Sequence, residues 1–122
     1  IPGPSAVLAA LTVSGLPINR FAFEGFLPRK KGRKKLIEEL AHEKRTIVLF
    51  ESPHRIVKTL NELYQVMGER KAVLARELTK IHEEVLRGTL GELAIKAAEQ
   101  KLKGEITLVI SGAPRARNHR GN

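Results

Sequence analysis

The chain of 122 residues contains no cysteine and no tryptophan, and only 4% of its residues are aromatic. Without cysteine it has no disulfide bond and no thiolate chemistry, as is typical of a cytoplasmic protein. No apolar run approaches the roughly 18 residues that a membrane-spanning helix requires. The first residues lack the basic segment of a signal peptide. The sequence therefore predicts one globular domain that does not insert into a membrane.

Several signatures of catalysis and metal binding are missing as well. The chain has no P-loop, no G-x-G-x-x-G fingerprint and no serine in a nucleophile elbow. Its histidines are scattered, without cysteine partners or the paired spacing of metal ligands, at His42, His54, His82 and His119. We therefore expect neither a protein-ligated metal nor a hydrolytic triad.

The net charge of +9 is concentrated in two segments. Residues 29–35, RKKGRKK, contain six basic residues and no acid, and residues 113–122 contain three arginines and no acid. Basic and acidic residues balance elsewhere. Two cationic segments on a neutral body indicate a polyanionic partner such as RNA, DNA or an acidic membrane surface, although basic runs can also simply solvate a loop and a tail. The candidate phosphate contacts in the first segment are Arg29, Lys30, Lys31, Arg33, Lys34 and Lys35.

Apolar patterns predict an α/β fold: a mixed sheet of about five strands, with about four helices in rough alternation. Ser52 and Pro53 are expected to cap the second-to-last helix, and Gly104 to end the last one. The two strands 71–78 and 83–88 are expected to pair antiparallel. The other strands are expected at 20–26, 46–50 and 105–111, and the earlier helices at 5–14 and 33–43.

Polar residues follow two of the predicted strands, in FESPHR at 50–55 and ARELTK at 75–80. Ligands of such sheets gather beyond the carboxyl ends of the strands, so these segments are candidates for a binding site. A cap by Ser52 and ordinary ion pairs would explain the same residues without a ligand. The segment PGPSA at 2–6 could bring backbone amides to a ligand, but Pro-Gly pairs usually form turns.

The stretches IPGPSAVLAALTVSGLP, FAFEGFLPRKKGRKK, TIVLFESPHRI, LARELTKIHEEVLRGTLGEL and KGEITLVISG occur in this order. Together they resemble the tetrapyrrole (corrin/porphyrin) methylase family, and most closely its RNA-modifying members, over residues 1–112. The resemblance implies two α/β domains with S-adenosylmethionine between them. The Gly-Asp-Pro-Gly cofactor loop of the first domain is absent from this sequence. We therefore expect residues 1–112 to be the C-terminal domain, inactive alone, followed by a flexible basic tail at 113–122.

The resemblance also implies which positions approach the cofactor, largely through main-chain and van der Waals contacts. These positions are Pro4, Ser5, Ala6, Phe50, Glu51 and Leu78. Glu51 replaces the methionine common in members that act on porphyrin precursors, which favours an RNA substrate.

The implied reaction is methyl transfer to a cytidine ribose 2′-hydroxyl in small-subunit ribosomal RNA. Candidate general bases are Glu51, His54, Glu77 and Lys80, because they lie at strand exits. Arg55 and Lys80 join the basic segment as candidate RNA contacts. Family members often form homodimers, so a homodimer is expected. The open alternatives are a corrin or porphyrin-precursor substrate, a non-catalytic RNA-binding module and a homodimerisation domain.

Overall fold

The structure, a computed structural model, describes residues 10–16, 20–76, 84–100 and 102–114. Within these ranges residues 10–14 are helical, and five strands and three longer helices follow. In chain order they are β1 (Phe21–Phe26), α1 (Arg33–Leu40), β2 (Thr46–Glu51), α2 (Ile56–Met67), β3 (Lys71–Arg76), β4 (Glu84–Thr89), α3 (Leu90–Glu99) and β5 (Ile106–Ile110).

The five strands form one sheet in the order β1-β2-β5-β3-β4. β1 and β2 are parallel, whereas β5 runs antiparallel to both β2 and β3. β3 and β4 form the expected antiparallel pair. The prediction of a mixed five-stranded α/β sheet is confirmed. Because β1, β2 and β3 run in the same direction, their carboxyl ends lie at the same edge of the sheet.

Both faces of the sheet are covered at its centre. Every residue of β2 is buried, as its continuous apolar sequence TIVLF predicts. On one face, Ile47 and Leu49 join the larger core, to which all three helices contribute. On the other face, Val48 packs with Ala10 and Leu11 of the first helical residues. The helices therefore lie on both sides of one buried sheet.

Two predicted helix boundaries are wrong. Ser52 and Pro53 do not cap α2, since residues 53–55 form a turn and the helix begins at Ile56 without a side-chain cap. The Ser52 carbonyl instead accepts a hydrogen bond of 3.1 Å from the Arg55 N–H within that turn. α3 ends at Glu99 rather than at Gly104, which leaves the buried Leu102 beyond the helix.

Other boundaries agree with the sequence. Gly68, with a φ of 73°, follows the last turn of α2, where only glycine adopts such a backbone without strain. Thr89 and Glu92 form a reciprocal capping box at the start of α3. Ala113 donates its N–H to the Glu43 carbonyl at 2.6 Å, so the chain is held to the body at the first residue of the expected tail. Residues 115–122 lie outside the described ranges.

Candidate functional site

Several of the predicted site residues that the structure describes lie near the edge where β1, β2 and β3 end. β1 ends at Phe26 and leads into the basic segment, and β2 ends at Glu51 and leads into the turn with His54 and Arg55. β3 ends at Arg76, whose Nε donates to Glu84 Oε1 at 2.7 Å across the hairpin. The parallel direction of β1 and β2 therefore brings two of the predicted motifs together.

Glu51 is buried and its carboxylate is fully engaged. Oε1 accepts the Ser52 N–H at 3.2 Å and lies 3.6 Å from Arg55 Nε, and Oε2 accepts the Thr59 hydroxyl at 3.2 Å. Residue 51 thus holds the turn after β2 against the first part of α2. Arg55 Nη2 is buried and has no hydrogen-bond acceptor among the described residues. This nitrogen is a donor that an anionic ligand could satisfy.

Arg33 lies at the centre of a second set of polar contacts. Its Nε and Nη2 donate to Glu62 Oε1 at 2.9 and 2.6 Å, and Nη2 also donates to Thr59 Oγ1 at 2.8 Å. Nη1 donates to the Pro28 carbonyl at 3.0 Å. Thr59 joins this set to Glu51. One network of hydrogen bonds therefore connects the segment after β1, helices α1 and α2, and the end of β2.

The basic segment divides into two kinds of residue. Arg33 is buried, so the structure does not place its guanidinium on the surface where a phosphate contact was expected. The remaining cations of the segment are exposed, namely Arg29, Lys30, Lys31, Lys34 and Lys35. Between α1 and α2 lies an open groove of about 620 Å³, lined in part by Lys30, Lys34 and Lys58. Five exposed cations in seven residues form a surface that attracts phosphates.

Three of the four phenylalanines form a cluster that the sequence analysis did not predict. The Phe23 and Phe26 rings both meet Phe50 edge-on, with centroid distances of 5.1 and 5.6 Å. Phe50 is only 5% exposed, but Phe23 and Phe26 are 50% and 55% exposed. The alternation of β1 indicates a common face for Phe21 and Phe23, yet it places Phe26 on the opposite face.

A β-bulge brings Phe26 to the face of Phe23. Phe23 is opposite Val48 and Gly25 is opposite Leu49, so Glu24 is an extra residue in β1. Gly25 has a φ of 66°, a backbone conformation that favours glycine. The register change rotates Phe26 onto the same face as Phe23 and opposite Phe50. The glycine at position 25, just before Phe26, was the sequence signal that could have indicated this bulge.

The remaining predicted site residues fall into two groups. His54 is exposed at the turn after β2, whereas Phe50 and Glu51 are buried at the end of that strand. The others lie outside the described ranges: Pro4, Ser5, Ala6, Glu77, Leu78 and Lys80.

Across residues 10–16, 20–76, 84–100 and 102–114, no three histidine or acidic side chains come together as metal ligands would. No helix in these parts of the chain has the length and apolarity needed to cross a bilayer.

Sequence comparison identifies close relatives. The chain is 47% identical over 112 residues to a Thermotoga maritima protein named ribosomal RNA small subunit methyltransferase I, which covers 92% of this chain and 50% of that protein. It is 56% identical over 115 residues to the protein of the same name from Mycobacterium tuberculosis, which covers 93% of this chain and 40% of that protein. The chain thus spans about half the length of these relatives or less.

Solved structures share the fold. The chain superposes on a cobalt precorrin-4 methyltransferase with a TM-score of 0.68 and 19% identity, over 91% of this chain and 50% of that one. A Thermus thermophilus uroporphyrin-III C-methyltransferase in complex with S-adenosylhomocysteine gives a TM-score of 0.61 and 19% identity, over 91% and 51% of the two chains. The sequence profile of the tetrapyrrole (corrin/porphyrin) methylases matches residues 1–94. The chain therefore belongs to the tetrapyrrole (corrin/porphyrin) methylase family.

Proposed function

We propose that the protein containing this chain transfers a methyl group from S-adenosylmethionine to ribosomal RNA of the small subunit, at a cytidine ribose 2′-hydroxyl. The observation that carries this proposal is the identity of 47% and 56% to two relatives named as small-subunit ribosomal RNA methyltransferases. Such a substrate locates the activity in the cytoplasm. Residues 1–112 are the C-terminal α/β domain of the proposed enzyme, and residues 113–122 are its basic tail.

The cofactor is proposed to bind beyond the ends of the parallel strands. S-adenosylmethionine supplies a methyl group already activated by a positive sulfonium. Positions 50 and 51, which the resemblance assigns to the cofactor, end β2 at this edge of the sheet. The unpartnered Arg55 Nη2 offers a further donor at the same edge. Pro4, Ser5, Ala6 and Leu78 are proposed to complete the contacts.

The chain's own residues are proposed to position the RNA and to accept the hydroxyl proton. The exposed cations at 29–31 and 34–35, together with Arg55 and Lys80, are the proposed phosphate contacts. Among the described base candidates, geometry favours His54 over Glu51, since both oxygens of Glu51 already accept hydrogen bonds. Correct alignment of the hydroxyl with the methyl group is expected to supply much of the rate.

The test is methyl transfer from labelled S-adenosylmethionine to small ribosomal subunits. The 122-residue chain would be compared with the full-length protein that contains it. Label that enters RNA only with the full-length protein, at a ribose 2′-oxygen of cytidine, is the expected result. Absence of label with both proteins, while RNA binding persists, would refute the methyltransferase and favour the RNA-binding module.

We also propose that the full-length protein is a homodimer. Sedimentation equilibrium measures this directly, and a mass of two chains at micromolar concentration is the expected result. A mass of one chain across the concentration range would refute the dimer without affecting the proposed reaction.

A further inference from the structure

We propose that Phe23 and Phe26 form a stacking platform for unpaired RNA bases, while the neighbouring Arg29, Lys30 and Lys31 hold the phosphates. This platform rests on the proposed function in one respect, namely that the substrate is RNA. It adds that the recognised segment is single-stranded and that its bases are splayed from their own stack.

The first support is that the platform is held rigidly. Phe50 contacts both outer rings and lies in β2, which has strands on either side and is buried along its whole length. The outer rings are nevertheless half exposed. Rings already fixed by a buried neighbour lose little conformational freedom when a ligand stacks on them. Phe23 and Phe26 therefore offer apolar surface at a low entropic cost.

The second support is the β-bulge at Glu24 and Gly25. In a regular strand Phe26 would face away from Phe23, and the two rings could not serve the same ligand. The bulge puts both rings beside Phe50 at the carboxyl end of β1. Bulges commonly redirect side chains next to binding sites.

The third support is the charge that follows the rings. Arg29 is three residues beyond Phe26, so their Cα atoms are no more than about 11 Å apart. Lys30 and Lys31 continue the exposed cationic segment. β1 also carries one acidic residue, Glu24. It lies within electrostatic range of the cation Arg45, so its negative charge has a positive neighbour. Aromatic rings beside cations are the combination by which proteins bind single-stranded nucleic acid.

Another exposed apolar side chain provides a contrast. Ile95 is 62% exposed on α3, more than either phenylalanine. It is an aliphatic side chain that offers no π surface for a base, and exposed single residues of this kind are common on protein surfaces. Ile95 is therefore a matched control for loss of exposed apolar area.

The experiment measures binding of a single-stranded RNA oligonucleotide carrying 2-aminopurine to the 122-residue chain. Phe23→Ala and Phe26→Ala are each expected to weaken binding about 5- to 150-fold, the range for loss of one stacked base. Wild-type protein is expected to quench the 2-aminopurine emission, and the variants to lose that quenching. Phe26→Leu keeps apolar area without an aromatic ring and is expected to weaken binding as well. Ile95→Ala is expected to bind as wild type does.

Salt dependence separates the rings from the cations. Lys30→Gln is expected to reduce the slope of log K against log salt by about 0.7, as for loss of one phosphate contact to a single strand. Phe26→Ala is expected to lower affinity with the slope unchanged. Circular dichroism spectra that match the wild type establish that each variant is folded.

Three results would overturn the platform. One is unchanged affinity and quenching in both phenylalanine variants, and another is equally tight binding of duplex RNA by the wild type. The third is a change in self-association of the variants without a change in RNA affinity, which would assign the rings to an interface between copies. The methyl-transfer assay is independent: label in RNA from a full-length Phe26→Ala protein with wild-type kcat/KM would reject the platform and keep the proposed function.

Discussion

Arg33 Nη2 lies 2.6 Å from Glu62 Oε1, which joins the start of α1 to the middle of α2. The Arg33 side chain is 7% exposed, while that of Glu62 is 35% exposed. The pair is thus a cation removed from water beside a carboxylate that remains partly hydrated. A basic segment that the sequence assigns to a ligand surface contains, at its centre, a residue that holds two helices together.

Replacement of Arg33 by methionine should destabilise the fold by about 2–3 kcal/mol. The change leaves Glu62, the Thr59 hydroxyl and the Pro28 carbonyl without their donor. Urea denaturation measures the free energy of unfolding. Lys34→Met, at the exposed neighbouring position, should change it by less than about 0.5 kcal/mol. Equal losses in the two variants would contradict the structural role of Arg33.

Thr59→Val should cost about 1–2 kcal/mol. The substitution keeps the shape of the side chain and removes the hydroxyl that bridges Arg33 Nη2 and Glu51 Oε2. Thr59→Ser retains the hydroxyl and should recover most of the loss, less the small cost of the missing methyl group. Thermal unfolding of the two variants makes the comparison, and a serine variant as unstable as the valine variant would attribute the effect to packing alone.

Gly112→Ala should destabilise the protein by about 2–4 kcal/mol, since a Cβ atom there would overlap the carbonyls of Lys44 and Arg45. Gly15→Ala is the comparison, because a Cβ at Gly15 meets no atom within 4 Å and only its φ of 74° is strained. That strain costs about 1–2 kcal/mol. Chemical denaturation should rank Gly112→Ala as the more destabilising change, and the reverse order would show that the loop at 44–45 moves freely away.

The pKa of Glu43 lies at about 2 rather than at its ordinary 4.5, chiefly because its carboxylate accepts hydrogen bonds from the side chain and N–H of Arg45. A depressed pKa in the folded state stabilises the protein above the unfolded value near 4.5, and this contribution is lost as the pH falls through 4.5 towards 2. Carboxyl NMR titration should find the Glu43 pKa raised towards 4.5 in Arg45→Ala, because the side-chain donor is lost while the N–H of residue 45 still donates. An unchanged midpoint would assign the shift to another group.

His54→Gln in the full-length protein should lower kcat by about 10²- to 10⁴-fold, the range for loss of a general base, with little change in KM. The matched control is His42→Gln, another exposed histidine that follows α1 at the other end of β2. Single-turnover methyl transfer should be unchanged in the control. Equal rates for both variants and the wild type would remove His54 from the reaction.

The spacing of apolar residues predicted the strands and helices, because it records which faces of each element are buried. The β-branched run TIVLF is a strand buried on both faces, and the stripe containing Ile56, Leu60 and Leu63 is a helix buried on one face. The cap at Ser52 was wrong because a three-residue turn, closed by the Ser52 carbonyl and the Arg55 N–H, intervenes before the helix. Competition between a cap and a turn depends on the packing of the whole segment.

The site was only partly predictable for a different reason. The strand-end rule correctly located Glu51 and His54 at the edge where β1, β2 and β3 end, since it depends only on strand order and direction. Burial of Arg33 depends on Glu62, which is 29 residues away and reaches it only through the packing of α1 on α2. The cluster of Phe23, Phe26 and Phe50 depends on a register change in β1. Long-range packing and strand register lie beyond a reading of local periodicity.

The position of β5 in the sheet has a consequence for synthesis of the chain. β5 lies between β2 and β3, and it hydrogen bonds to both. Until residues 106–110 leave the ribosome, no strand is present to join β2 to β3, and each of these two strands lacks its backbone partner on the side that β5 later occupies. A nascent chain that stalls before residue 106 therefore exposes two strand edges that can pair with other chains. Addition of β5 joins β2 to β3 and completes one sheet.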